Sequence, residues 1–221
     1  SELSRERQER HRERPTSPNR PGSRPDRRPN RPVHHPNRPN RPGHPLPPPP
    51  PARPHRPQRP GGGWHTWHRP TPPPSWRPSP TLRPINTILG VALGTALVAS
   101  IDQLRCAGYM IDGYQNNVVY LRDVSQLGML WPDAELIYDN GLLYGSEYYY
   151  STPYASSSRY DMSYNTLTRV YGLPVSVAGN RGVSMSATWF LPGGGFVTLQ
   201  YAPMTYSGGM RYTTVLQVGR Y

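Results

Sequence analysis

The spacing of apolar residues changes along the chain. Only three sizeable apolar side chains, those of Leu3, Val33 and Leu46, occur in the first 63 residues, and regular apolar periods appear only later. Such periods are the main sequence signal of packed secondary structure. We therefore predict a folded domain over 85–221, preceded by a tail, 1–84, that cannot offset the entropy of ordering a chain.

The domain opens with an apolar segment, INTILGVALGTALVASIDQL, at residues 85–104. Its apolar residues recur three and four positions apart, which predicts one helix, and Gly90 and Gly94 form a GxxxG pattern on its slender side. The 17 uncharged residues from Ile85 to Ile101 reach the lower length limit for a membrane span. Because Asp102 follows at once, we favour a core helix packed on a sheet and keep a single membrane span as the alternative.

Strand patterns separated by turn signals follow this segment. YMIDGY and NVVYLRDV flank Gln115-Asn116, while AELIYD and LLYGSEYYY flank Asn140-Gly141, a strong hairpin signal. These patterns predict two hairpins over 109–150. The intervening VSQLGMLWPD is predicted to form a short helical turn that ends at Pro132.

A second helix is predicted over 157–171, because serines precede it and Gly172 and Pro174 end it. Three further strands are predicted over 182–219. The order of elements is that of an α+β fold with two layers, in which antiparallel strands carry both helices on one face. Short connections predict that sequential strands pair.

Charge and proline are concentrated in the tail. Residues 1–84 hold 18 of the 25 arginines, 25 of the 30 prolines and all 7 histidines, and the chain has no lysine. With 5 acidic residues the tail carries +13, whereas the remainder, with 7 arginines and 8 acidic residues, carries −1. Proline at about every third position excludes helix and favours extended polyproline structure. The tail is therefore predicted to be a disordered, extended cationic segment.

Arginines spaced along an extended chain are suited to anionic polymers, because each guanidinium can bind a phosphate or carboxylate bidentately. We predict that the tail contacts an anionic polymer or envelope surface. The predicted polyanion-binding residues are Arg20, Arg24, Arg27, Arg28, Arg31, Arg38, Arg41, Arg53, Arg56 and Arg59.

Other partners remain open for parts of the tail. LPPPPP at 46–51 is a pattern that other proteins bind in polyproline grooves. Trp64, Trp67 and Trp76 lie among histidines and arginines, which is typical of surfaces that stack on nucleobases or touch a membrane interface. We favour the interpretation that these tryptophans pin the end of the tail onto the domain. The irregular spacing of the histidines predicts no metal site, and no cofactor motif is present.

The domain lacks the residues of several catalytic sites. It has no histidine, which excludes Ser-His-Asp triads and His-based zinc sites within it. Asp133 and Glu135 are two positions apart on a predicted strand, and Asp139 and Glu147 are predicted to meet across the hairpin. Paired carboxylates are the one catalytic option left. Because strand polarity and turn chemistry explain all four residues, we predict that the protein is not an enzyme.

Tyrosine is abundant in the domain, and Tyr148, Tyr149 and Tyr150 are consecutive on a predicted strand. Consecutive side chains on a strand alternate between faces, so at least one of these rings is predicted to be exposed. Exposed tyrosines are typical of binding surfaces. We therefore include this run, with the three tryptophans, as a predicted binding surface.

NNVVYLRDV, MLWPDAELIYDNGLLYGS and YNTLTRVYGLP, followed by ATWF and FVTLQY, resemble uncharacterised secreted or envelope proteins of Bacteroidota-type bacteria. Those proteins also carry a proline- and arginine-rich leader before a short glycine-containing apolar segment. The resemblance covers most of 85–221, implies export and transfers no activity.

We therefore expect a binding or structural component of a bacterial envelope whose tail tethers it to anionic polymers. Its expected location is periplasmic, outer-membrane-associated or secreted, after removal of a signal peptide. The alternatives are a nucleic-acid-binding protein that uses the arginine-rich tail, and an inner-membrane protein with a single span at 85–104.

Overall fold

The computed structural model describes residues 69–115, 117–206 and 209–220. About half of them belong to one eight-stranded antiparallel sheet, with strand order β3-β4-β5-β6-β10-β9-β8-β7, and β1 and β2 form a separate small hairpin. The strands are β1 Thr87–Ile88, β2 Val91–Ala92, β3 Met110–Gln115, β4 Val118–Gln126, β5 Met129–Asp139, β6 Leu142–Thr152, β7 Ser176–Asn180, β8 Ser184–Leu191, β9 Gly195–Tyr206 and β10 Gly209–Arg220. The helices are α1 Leu97–Cys106 and α2 Ser158–Tyr171.

The main core lies between the sheet and the two helices. It includes Leu104 of α1, Leu167 of α2 and the two large side chains Trp131 and Trp189, each at most 1% exposed. Burial of a side chain of this size contributes roughly 1.5–3 kcal/mol. The predicted α+β fold, with antiparallel strands and helices, is confirmed.

The predicted helix over 85–104 is wrong in its first half. The backbone is left-handed at Leu89, Gly90 and Gly94, with φ of 50°, 79° and 85°, so the chain turns between β1 and β2 and turns again before α1. A right-handed helix cannot accommodate these angles. The helical period survives only in α1, where Leu97, Ile101 and Leu104 face the core. No helix in the described part of the chain is long and apolar enough to cross a membrane.

The predicted helical turn before Pro132 is also wrong. β4 continues to Gln126, and the chain reverses at Leu127 and Gly128, whose φ values are 54° and 71°. Pro132 lies within β5, beside a local irregularity where Asp123 has a φ of 51°. An irregular position suits proline because proline has no N–H to donate to the neighbouring strand.

The remaining predictions of helices and strands are largely confirmed. Both hairpins over 109–150 form, and the reversal at Asn140-Gly141 has φ of 49° and 76°. α2 ends at Gly172, whose positive φ of 83° is a conformation that favours glycine, as expected at this position. The pattern did not predict β7, because all five of its residues are exposed and give no apolar alternation.

Sequential strands pair as predicted, with one exception. α2 follows β6, and the chain then continues into β7 at the far edge of the sheet. β6 consequently pairs with the last strand, β10, instead of β7. This connection makes β6 a central strand, flanked by β5 and β10, which determines the surroundings of its acidic and aromatic residues.

Candidate functional site

The face of the sheet opposite the main core carries polar side chains on six strands, beside a small hydrophobic cluster of Tyr149, Met204, Tyr206 and Val215. Residues that stand directly opposite each other on antiparallel strands share a face, so the register defines two rows. The carboxylate row consists of Tyr120, Glu135, Glu147, Gln217, Thr198 and Thr188, in strand order β4-β5-β6-β10-β9-β8. The adjacent row consists of Arg122, Asp133, Tyr149, Val215, Gln200 and Ser186. We call these twelve residues the polar face.

The two glutamates of the carboxylate row are buried. Glu147 is 3% exposed and Glu135 is 5% exposed, although glutamate is rarely fully buried in proteins. They stand directly opposite each other on β6 and β5, where Cβ atoms are about 5 Å apart. The register therefore places two carboxyl-bearing side chains next to each other on one face of the sheet.

A bulge brings the two glutamates together. Tyr138 pairs with Leu143, whereas Ile137 pairs with Gly145, so Tyr144 is an extra residue on β6. If the same sequence continued the regular pairing from Tyr138–Leu143 without a bulge, Glu135 would stand opposite Ser146. Glu147 would then point to the other face of the sheet. Bulges are typical of places where a strand redirects a side chain for a specific purpose.

Neighbouring side chains hold the Glu147 carboxylate in place. Gln217 Nε2 donates a hydrogen bond of 2.9 Å to Glu147 Oε1, and the Tyr149 hydroxyl donates to Glu147 Oε2. Donation from a tyrosine and an amide stabilises an anion without neutralising its charge. Glu147 is therefore an oriented acceptor within the polar face.

Two arginines on this face of the sheet have described contacts, Arg122 in the adjacent row and Arg211 further along β10. Arg122 Nη2 lies 2.5 Å from Asp112 Oδ1, and both side chains are less than one-fifth exposed. Arg211 donates from Nε to Ser151 Oγ at 2.8 Å and from Nη2 to the Ser151 carbonyl at 3.1 Å. These contacts orient both guanidinium groups within the sheet surface.

The formal charge of this surface is negative. Asp112, Asp133, Glu135 and Glu147 supply four carboxylates, against the two guanidinium groups of Arg122 and Arg211, which gives −2 when all are ionised.

Residues 69–77 reach the same surface from outside the sheet. The Arg69 guanidinium lies 4.5 Å from the centre of the Tyr144 ring and 3.2 Å from Asp139 Oδ2. Burial raises the pKa of Tyr144; Arg69 lowers it, and the negative charge of Glu147 adds to the rise. The described chain therefore begins beside the bulge.

Trp76 continues this contact. Its ring lies 5.8 Å from that of Phe190, which stands opposite Phe196 and follows Thr188 by two positions on the same face. The prediction that tryptophans pin the end of the tail onto the domain is confirmed for Trp76. Trp64 and Trp67 lie outside the described residues.

The tyrosine run of β6 alternates between faces as predicted, but the prediction that at least one ring is exposed is wrong. Tyr148 is 2% exposed and packs near Trp131 in the main core. Tyr149 is 7% exposed on the polar face, and Tyr150 is half-buried, with the Arg159 guanidinium 3.9 Å from its ring centre. Tyr148 and Tyr149 are buried in two different hydrophobic clusters, one on each face of the sheet, and Arg159 partly covers Tyr150.

The predicted carboxylate pairs are partly rearranged. Asp133 and Glu135 share a face of β5, as predicted. Asp139 does not meet Glu147: it stands opposite Leu142 at the end of the hairpin. The ten arginines predicted to bind polyanions lie outside the described residues. Among the residues that the structure does describe, no three His, Cys, Asp or Glu are grouped to hold a metal ion.

No family model, curated protein or solved structure matches this chain. What the protein does therefore has to follow from its own residues and their geometry.

Proposed function

We propose that the protein is a non-enzymatic binding component of a bacterial envelope, whose arginine-rich tail binds anionic polymers. The division of charge carries this proposal. Residues 1–68 contain 15 arginines and 5 acidic residues, a charge of +10, whereas residues 69–220 contain 10 arginines and 8 acidic residues, a charge of +2. The excess positive charge is thus concentrated in the part of the chain that has the fewest apolar side chains.

The proline spacing supports multivalent binding. In polyproline II structure, residues three apart are separated by about 9 Å and point the same way. An extended chain of this kind presents guanidinium groups along a polymer at little further cost in entropy. Binding should then be weak at each arginine, additive along the chain and tolerant of the polymer's sequence.

The folded domain supports a tethering role. Residues 69–77 are held on the sheet by Arg69 and Trp76, so the tail leaves the domain from an anchored point. The envelope location is part of this proposal, as the resemblance noted from the sequence implies, and cell fractionation tests it. In this proposal the domain gives the bound polymer a fixed attachment.

Salt titration of the full-length protein tests the proposal. Binding to lipopolysaccharide, to vesicles of anionic lipid and to RNA is measured over a range of salt concentrations. On a charged polymer the logarithm of affinity falls linearly with the logarithm of salt, by about 0.9 for each phosphate contacted on duplex DNA. We expect Arg24→Gln, Arg31→Gln and Arg38→Gln together to weaken binding and reduce this slope.

A matched variant changes the same number of charges on the domain. Arg105, Arg169 and Arg181 are exposed, and their joint replacement by glutamine should leave both affinity and slope nearly unchanged. Equal losses in the two variants would refute a tail-specific site. Tighter binding to RNA than to the envelope polymers, together with a cytoplasmic location in fractionated cells, would replace the envelope proposal with nucleic-acid binding.

A further inference from the structure

We propose that the pocket between α2 and residues 81–87 binds a fatty carboxylate, with its acyl chain over the sheet and its carboxylate at Arg83. This inference goes beyond polyanion binding by the tail, because it gives the folded domain a small-molecule ligand. The pocket has a volume of about 550 Å³, and pockets that hold small ligands in other proteins measure roughly 300–1,000 Å³.

The pocket lies over the core face of the sheet, at the strands that the helices leave open. α1 contacts β3 and β6, whereas α2 contacts β9. The floor of the pocket is formed by Leu167 of α2, Val197 of β9 and Leu216 of β10, each 1% exposed. Water above these three side chains finds no hydrogen-bond partner among them, whereas an alkyl chain needs none.

The walls of the pocket leave apolar surface open to solvent. Val170 on α2 is 56% exposed. The other apolar wall residues are partly buried: Leu82, Ile85, Leu127, Tyr171 and Val218. An acyl chain between these walls removes their open surface from water, and each methylene that it buries strengthens binding by about fourfold.

The wall formed by residues 81–87 is fixed by contacts within the domain. Arg220 Nη2 donates a hydrogen bond of 3.2 Å to the Ile85 carbonyl, and the Leu93 N–H donates one of 2.9 Å to the Asn86 carbonyl. The Ile85 side chain packs directly on β9, since a Cβ atom added at Gly195 would lie 3.4 Å from Ile85 Cδ1. A wall that is already in place reduces the entropy lost on binding.

The polar residues of the pocket favour an anionic head group. Arg83 is exposed at the rim, and no acidic residue is among those that line the pocket. Thr81, Asn86 and Thr87 on the same segment add neutral hydrogen-bond donors. A guanidinium can bind both oxygens of a carboxylate, so one arginine above apolar walls fits a chain that ends in a carboxylate.

An NMR titration of the full-length protein with decanoate, below the concentration at which it forms micelles, tests the proposal. We expect saturable shifts of amide signals at residues 82–85, 126–127, 167–171 and 216–218. Octanoate, which is two methylenes shorter, should bind up to about fifteenfold more weakly. Butyrate has the same head group but a much shorter chain, and should cause no saturable shifts at these residues.

Two matched pairs of variants locate the site. Val170→Glu places a carboxylate in the pocket and should weaken decanoate binding by about tenfold or more, because like charges repel. Val98→Glu, at a 47% exposed position of α1 outside the pocket, should leave binding unchanged. Arg83→Gln should weaken binding by about two- to fivefold, the range of an exposed ion pair, and Arg105→Gln, also exposed but outside the pocket, should not.

Two results would overturn the proposal. One is a set of shifts that does not saturate or that affects Val98 and other exposed apolar residues as strongly as the pocket. The other is an equal loss of affinity in Val170→Glu and Val98→Glu. Because the signals are read at residues of the folded domain, either result would leave polyanion binding by the tail untouched.

Discussion

Alanine at Gly90 and Gly94 distinguishes the hairpin seen in the structure from the continuous helix that the apolar period predicts. In the structure both glycines are left-handed, with φ of 79° and 85°. In a helix they would be ordinary interior positions. Alanine strongly disfavours the first conformation and strongly favours the second, so the two architectures predict stability changes of opposite sign.

The magnitudes follow from the surroundings of each glycine. A Cβ atom added at Gly90 or Gly94 meets no atom within 4 Å, so no clash contributes. Left-handed backbone costs a non-glycine residue roughly 1–2 kcal/mol, and the lower entropy of the unfolded alanine chain offsets about 0.4–1 kcal/mol of this. We expect each substitution to lower the free energy of unfolding by about 1 kcal/mol. In a continuous helix each would raise it by about 1 kcal/mol.

Urea unfolding followed by tryptophan fluorescence measures this difference. Ala99→Gly is the control, because Ala99 is exposed within α1 and glycine there should cost about 1 kcal/mol in either architecture. The midpoint should move while the slope with denaturant stays constant. If Gly90→Ala and Gly94→Ala both stabilise the protein, the β1–β2 hairpin and the second turn are wrong.

Three further outcomes follow from the structure. Leu104→Ala removes a side chain with no exposure and should lower the free energy of unfolding by about 2–5 kcal/mol. Met110→Ala, at a side chain that is 53% exposed, should change the free energy of unfolding by less than about 0.5 kcal/mol. Urea unfolding of the two variants compares these values. Burial raises the pKa of Tyr138 from 10.0 to about 12, so the tyrosine of the unfolded chain ionises first as the pH rises. The free energy of unfolding of the wild type should therefore fall between pH 10 and about 12, by roughly 1–2 kcal/mol more than that of Tyr138→Phe. Urea midpoints across this pH range measure the difference. Trp76→Ala removes the contact with Phe190 and should speed hydrogen exchange of the residue-76 amide, which donates to the Pro73 carbonyl at 2.9 Å; an unchanged rate would contradict this anchoring.

The elements that the sequence predicted well carry strong local signals. Asn140-Gly141 specifies a tight reversal through residues that tolerate positive φ, and alternating apolar residues on both sides fix the strands. α2 has an apolar stripe and ends at Gly172, whose positive φ is a conformation that favours glycine. In both places the turn chemistry and the apolar period agree.

The first half of 85–104 was mispredicted because two local signals conflict there. Apolar residues at helical spacing favour a helix, while Gly90 and Gly94 permit left-handed turns at little cost. The period alone does not reveal that Ile88 and Val91 reach the core from a hairpin, at 3% and 1% exposure. Tertiary packing decided between the two signals, and glycine made the turn accessible.

The acidic pair was missed for a different reason. An unbroken hairpin around Asn140-Gly141 places Glu135 opposite Ser146 and sends Glu147 to the core face. The extra residue Tyr144 shifts the register by one, which moves both glutamates onto one face and Tyr148 into the core. Tyr144 is also the residue on which the Arg69 guanidinium lies. One bulge thus brings the two glutamates together and also receives the start of the described chain.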